Sequence, residues 1–161
     1  MKKYLVILFL FTVAFAHGQG VTFNDLTNLS HLENGEANTY LTQARNFRLN
    51  NTQQVSNLKI DAYKRLVENA KYEIVEVGNG IPTGDGNMLR TVYYKSNNKQ
   101  FISNLIGQAS KSGLKLSFKG LDDTKNIFIF DDDLYNITIN LDIYGKFGMV
   151  IVKQKEFVGY N

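Results

Sequence analysis

The sequence predicts an α+β domain in which two or three helices pack on one face of an antiparallel sheet. Apolar residues recur at helical spacing before residue 46 and again after Asn98. Each helical segment is followed by short runs in which apolar and polar residues alternate with a period of two. Segments rich in Asp, Asn and Gly separate these runs. Short strands joined by such turns are typical of an antiparallel sheet.

Residues 1–18 have the organisation of a secretory signal peptide. Lys2 and Lys3 form a short positive region, and the apolar run that follows, at roughly 13 residues, is shorter than the roughly 20 that a membrane-spanning helix requires. Small residues end the run, so that cleavage is predicted after Ala16 or after Gly18. Cleavage after Gly18 is favoured, because the new terminal Gln19 can cyclise. We therefore expect a secreted or periplasmic protein with no transmembrane segment after cleavage.

Removal of this leader changes the charge of the chain. The whole sequence has 18 Lys and Arg against 15 Asp and Glu, so loss of Lys2 and Lys3 leaves a net charge of +1. A nearly neutral domain with scattered basic residues is not expected to bind nucleic acid. The chain has no Cys, which excludes a disulfide framework. Residues 19–161 are enough for a single domain with its own core.

The first half begins with residues 19–45, which predict two short helices joined by a turn at Asn34-Gly35, with Asn24 as the first N-cap. Strands are predicted from period-two patterns at 47–49, 58–63, 74–77 and 88–96. The segment 61–70 also fits helical spacing, so helix and strand both stay open there.

Residues 78–87 (GNGIPTGDGN) form the most glycine-rich segment of the chain. A phosphate-binding loop would end in Lys followed by Ser or Thr and would open a helix. Neither feature is present, so the segment predicts a long, mobile hairpin loop that a partner can reach. Ile81 and Asp85 are its candidate contact residues.

The second half predicts one helix followed by four strands. The helix has an apolar face and ends at Gly113, which suits a left-handed cap. That face consists of Phe101, Ile102, Leu105, Ile106 and Ala109. The strands are predicted at 114–118, 127–130, 137–143 and 149–152.

The halves 19–96 and 97–161 show the same order of elements. Residues 40–44 (YLTQA) align with residues 105–109 (LIGQA), and residues 47–49 follow much as residues 114–116 do, with a gap of two residues. Duplication and chance both stay open. This tandem order in an exported chain resembles the beta-lactamase-inhibitor-like proteins and the small outer-membrane-assembly lipoproteins of related architecture. The resemblance implies a tandem α/β fold but no activity, and the chain departs from both groups in lacking Cys.

Few residues predict chemistry. His31 is the one histidine clearly beyond the leader, and a triad with Ser30 or Ser56 has no supporting spacing. The acidic groups 122–123 and 131–133 fit strand-ending turns; calcium ligation or carboxylate catalysis is the alternative interpretation. We assign no catalytic residue, no metal site and no cofactor.

The sequence therefore predicts an exported, non-enzymatic binding or protein-interaction module whose partner and oligomeric state it does not specify. Its expected contact surfaces are an open sheet face and the loop 78–87, and the candidate contact residues are Tyr93, Tyr94, Ile81 and Asp85. A small secreted hydrolase and a structural envelope protein are the alternatives.

Overall fold

The structure, a computed structural model, describes residues 20–156. An eight-stranded antiparallel sheet with three helices confirms the predicted α+β class. The predicted leader and both cleavage positions lie outside the described residues. Within residues 20–156, every helix is too short or too polar to span a membrane.

The two halves of the chain form consecutive meanders that join in one sheet. The helices are α1 (Phe23–Leu29), α2 (Asn34–Thr39), which continues as a π-helical turn (Tyr40–Ala44), and α3 (Lys99–Lys111). The strands are β1 (Arg48–Val55), β2 (Leu58–Leu66), β3 (Tyr72–Pro82), β4 (Met88–Ser96), β5 (Lys115–Leu121), β6 (Lys125–Asp131), β7 (Tyr135–Asp142) and β8 (Gly148–Gln154). Their spatial order is β1-β2-β3-β4-β8-β7-β6-β5, so the halves meet where β4 pairs with β8.

The helix starts differ from the prediction. Thr22 caps α1, because its hydroxyl accepts the Asp25 amide while the Asp25 carboxylate accepts the Thr22 amide at 2.8 Å. This reciprocal pair satisfies two backbone donors at once, so the expectation of Asn24 as the cap was wrong. Asn34 opens α2 instead of forming a turn, with Glu33 as its cap.

The ambiguous segment 61–70 is a strand as far as Leu66. Asp61 and Tyr63 are buried on one face, whereas Ala62 and Lys64 lie on the other. Both neighbours, β1 and β3, pair with this stretch, so the backbone hydrogen bonds of the sheet favour the strand over an isolated helix.

The core lies between the helices and one face of the sheet. Buried side chains alternate along the strands, and α3 places Ile102 and Leu105 against them, both with no exposed area. The strand residues of this core are Tyr63, Val75, Val77, Val92, Tyr94, Phe130, Ile137, Ile139, Leu141, Val150 and Val152. In the described residues the helices cover only this face.

The two halves share their strand register. The pairing of β1 with β2 shifts immediately after Leu49, and the pairing of β5 with β6 shifts immediately after Leu116. Leu49 lies opposite Tyr63, and Leu116 lies opposite Phe130. A bulge and a buried aromatic partner therefore occur at the same place in each half.

An approximate two-fold axis passes through the junction of the halves. The successive pairs of the β4–β8 ladder are Val92 with Val152, Tyr93 with Ile151, and Tyr94 with Val150. A rotation about this axis exchanges β4 with β8 and superposes the Val92–Val152 pair on the Tyr94–Val150 pair. The Tyr93–Ile151 pair lies on the axis. The junction is therefore equivalent from both sides.

The junctions before β1 and β5 also correspond. Asn46 (φ 56°) and Gly113 (φ 85°) both adopt the left-handed conformation, and buried Phe47 and Leu114 follow them. This confirms the expected cap at Gly113 and matches the predicted alignment of residues 47–49 with 114–116.

Candidate functional site

The sheet face opposite the helices is the candidate site, and we call it the open face. Strand pairing defines its central row, which crosses all eight strands. From β1 to β5 the row consists of Asn51, Ala62, Glu76, Tyr93, Ile151, Thr138, Ile129 and Phe118. The second-half portion is mostly apolar, and Phe118 is 50% exposed. No helix of residues 20–156 covers this row.

A polar cleft lies beside Tyr93 in the first half. Its volume is about 410 Å³, and it is lined by Gln53, Ile60, Ala62, Glu76, Asn79, Tyr93 and Lys95. Lys95 Nζ donates to Glu76 Oε1 at 2.5 Å, which fixes both long side chains next to the tyrosine ring. Along the central row, the open face therefore changes at Tyr93, near the two-fold axis, from a charged cleft to mostly apolar residues.

Of the two predicted tyrosines, only Tyr93 lies on the open face. Tyr94 has no exposed area, and its hydroxyl donates to Glu73 Oε1 at 2.6 Å. Successive residues of a strand point to opposite faces, so one member of this pair had to enter the core. The expectation that Tyr94 contacts a partner is corrected accordingly. Burial and the adjacent carboxylate of Glu73 raise the pKa of Tyr94 far above its ordinary value.

The predicted loop 78–87 is much shorter than expected. β3 continues to Pro82 and β4 begins at Met88, which leaves only residues 83–87 as the turn. Gly78 lies in a bulge of β3 with φ +92°, and Lys59 O would be 2.0 Å from an added Cβ. The glycine serves a close strand approach, not a mobile loop.

Ile81 and Asp85 lie at the far end of this hairpin. Ile81 is 69% exposed near the end of β3, and it is separated from Glu76, the neighbour of Tyr93, by roughly 15 Å of strand. Hydrogen bonds from Thr83 and the Asn87 amide hold the pKa of Asp85 below its ordinary value. The structure therefore does not bring Ile81 and Asp85 into one site with Tyr93.

The two acidic groups lie at opposite ends of β6. Asp122 ends β5 and accepts the Thr124 amide at 2.8 Å, whereas Asp132 accepts the Leu134 amide at 2.8 Å beyond β6. The seven residues of β6 separate them by roughly 20 Å. Both groups form turns, and the described part of the chain contains no cluster of three metal-binding side chains.

The titration of the carboxyl groups does not favour acid catalysis. Burial opposes ionisation of Asp25, but hydrogen bonds from Tyr40 and Thr22 and the charge of Arg45 outweigh it and lower the pKa. The pKa of Asp122 is lowered mainly by its bond to the Thr124 amide. A general acid at neutral pH needs a raised pKa, and within residues 20–156 every clearly shifted carboxyl is lowered.

His31 connects the end of α1 to the second half. Its Nε2 lies 2.5 Å from the Tyr135 hydroxyl, and its Nδ1 lies 2.9 Å from Gln154 Nε2. Ser30 donates to the Thr27 carbonyl at 2.7 Å, and Ser56 lies in the turn between β1 and β2. The histidine therefore bonds to groups other than a nucleophile or a carboxylate.

Sequence reasoning missed the apolar part of the open face. Ile129 and Ile151 lie in different segments, and only the strand order brings them into one row with Tyr93. No family model, curated protein or solved structure matches this chain. The interpretation of the site rests on the geometry of residues 20–156.

Proposed function

We propose that the protein is an exported, non-enzymatic module that binds another exported protein through the open face. The observation that carries this proposal is the central row, in which Tyr93 lies beside Ile151 and, beyond Thr138, Ile129 lies beside Phe118, without a covering helix in the described residues. Tyr93 and Ile151 lie at the centre of the open face, and Phe118 extends the exposed apolar surface to the β5 edge. Exposed aromatic and aliphatic side chains of this kind are typical of protein interfaces.

The dimensions of the open face suit a partner of ordinary size. Eight strands at roughly 4.8 Å spacing give a width of about 34 Å, and strands of this length extend over about 20 Å. The resulting area of about 700 Å² is near the roughly 800 Å² that each partner contributes to a standard interface. Export follows from the predicted leader and belongs to the same proposal.

A pull-down from the native envelope with matched variants tests the proposal. Tyr93→Ala removes the central aromatic side chain of the open face, and Tyr144→Ala removes one that is 75% exposed in the β7–β8 turn. We expect the wild type and Tyr144→Ala to capture the same partner, and Tyr93→Ala to bind it at least tenfold more weakly, as for an interface hot spot.

Thermal unfolding of both variants serves as the folding control. Equal capture by Tyr93→Ala, with unchanged melting, would place the interface elsewhere. Failure to recover any reproducible partner, together with turnover of a substrate by the purified protein, would overturn the assignment as a binding module.

A further inference from the structure

Two cations lie opposite each other at the corner where β1 begins and β2 ends. Arg48 pairs directly with Lys64, and we call these two residues the basic corner. The Cβ atoms of such a pair are about 5 Å apart, and like charges there are destabilising. In residues 20–156 neither cation has a carboxylate within ion-pair distance. Lys64 Nζ lies over the Tyr72 ring, 5.1 Å from its centroid, which holds the ammonium in place.

The second half of the chain contains the matched comparison. Because Leu49 corresponds to Leu116, the position of Arg48 corresponds to Lys115, which pairs with Asp131. There the register places residues of opposite charge opposite each other, and the ion pair of Asp131 is with Lys155 Nζ at 3.4 Å. The repulsive pair of the first half is therefore not a requirement of the fold.

The basic corner borders a cleft of about 450 Å³. Asn46 and Asn50, whose side-chain amides are hydrogen-bond donors, line this cleft with Leu49 and Leu66. Asn50 is the bulged residue of β1, and Leu66 is 75% exposed. Arg65, whose guanidinium pairs with the buried Glu73, also lines the cleft. The cleft thus combines two cations without a carboxylate partner, two amides and apolar side chains.

We propose that the basic corner binds an oxyanion, that is, a carboxylate, phosphate or sulfate group. An oxyanion there supplies the negative charge that Asp131 supplies in the second half, and guanidinium and ammonium groups form strong, charge-assisted hydrogen bonds with it. The cleft is larger than a bare ion, so the group belongs to a larger ligand whose apolar part contacts Leu49 and Leu66. This inference does not depend on the proposed protein partner.

Titration calorimetry of the purified protein with phosphate, sulfate and acetate tests the site. We expect saturable binding that weakens with added salt, and the order of the three anions distinguishes tetrahedral oxyanions from carboxylates. Lys64→Gln should weaken binding about tenfold, since a hydrogen bond to a charged group is lost. The control Lys115→Gln, which removes a cation at the position that corresponds to Arg48, should bind as the wild type does. Absence of saturable binding of all three anions, or an equal loss in the control, would overturn the proposal.

Lys64→Asp gives a second readout that does not require the ligand. This variant copies the charge pattern of the second half, so the repulsion becomes attraction. We expect the urea midpoint of the variant minus that of the wild type to fall as NaCl rises from about 0.02 M to about 0.5 M. Salt weakens the attraction in the variant and the repulsion in the wild type, and both changes lower this difference. It should also lose anion binding. A difference that does not change with salt would refute the uncompensated charge on which the site rests.

Discussion

Substitution of Glu73 by Gln should be the most damaging single change of one functional group in this protein. The Glu73 side chain is completely buried, and its Oε1 accepts the Val21 amide at 3.0 Å and the Tyr94 hydroxyl at 2.6 Å. Its Oε2 accepts Arg65 Nε at 2.8 Å and Nη2 at 2.5 Å. One carboxylate thus joins the segment before α1 to the sheet and neutralises a guanidinium that is 20% exposed.

Gln retains one acceptor but presents an amide NH₂ to the Arg65 donors. The guanidinium loses its counter-charge, and loss of one partner of a buried pair costs about 3–5 kcal/mol. For a domain of this size, that loss corresponds to a fall in melting temperature of about 10–20 °C.

Urea unfolding followed by tyrosine fluorescence and far-UV circular dichroism measures this change, since the chain has nine Tyr and no Trp. Glu76→Gln is the matched control, because Glu76 pairs with Lys95 on the open face where both are partly exposed. Its cost should stay below about 1 kcal/mol.

A double variant separates the ion pair from the shape of the side chain. Arg65→Met with Glu73→Gln leaves no unpaired charge, so it should be more stable than Glu73→Gln alone. The reasoning fails if Glu73→Gln costs no more than Glu76→Gln, or if the double variant is no more stable than the single one.

Three further outcomes follow from the described contacts. Gly78→Ala should lower the free energy of unfolding in urea by at least about 2 kcal/mol, because φ is +92° and the added Cβ meets Lys59 O. The control Gly84→Ala places its Cβ in open space and should change that free energy by less than about 0.5 kcal/mol; equal effects would contradict the bulge. The pKa of Asp25 in the folded protein lies below 3.8, so its stabilising contribution is present above that pH and is lost as the pH falls through the lowered pKa. In Asp25→Asn, the urea midpoint should therefore fall less steeply with decreasing pH than in the wild type, and an equal fall would refute this. Tyr94→Phe removes a buried hydroxyl donor and should cost about 1 kcal/mol by thermal unfolding, a loss that Tyr93→Phe should not show.

Much of the second half could be predicted because its strands have one covered face. Residues 137–143 alternate strictly, and the structure has β7 over Tyr135–Asp142. β1 gave no such pattern, since all its residues are exposed at the edge of the sheet and most are polar. Only residues 47–49 were predicted there, and the strand extends to Val55. The other edge strand, β5, is also mostly exposed, but Leu116 and Phe118, together with Leu114 immediately before the strand, alternate and provide the pattern that the polar β1 lacks.

The repeat shows where local similarity misleads. The alignment of residues 40–44 with 105–109 equates Ala44 with Ala109, but Ala44 is exposed and Ala109 is buried. The π-helical turn changes the direction in which Ala44 points, so the Gln-Ala match in sequence does not correspond to equivalent positions in the two halves. The common bulges and the β4–β8 ladder carry the repeat instead, and both require knowledge of strand pairing.

The candidate site depended on the same long-range information. The prediction offered both Tyr93 and Tyr94 as contacts, although successive strand residues point to opposite faces. Only the helix positions decide which of the two faces is covered. Arg48 and Lys64 are ordinary surface cations in the sequence and become a pair through the register of β1 with β2. The glycines of residues 78–87 predicted a loop, but glycine also occurs at strand bulges, and Gly78 lies in one.

The strand order also determines how the chain can fold. Within each half every ladder joins strands that are neighbours in sequence, so these contacts form with small loop-closure cost. The β4–β8 ladder alone among the described ladders connects distant segments, with Ser96 opposite Gly148 and Thr91 opposite Lys153. We therefore expect this ladder to have the largest loop-closure cost of the described ladders.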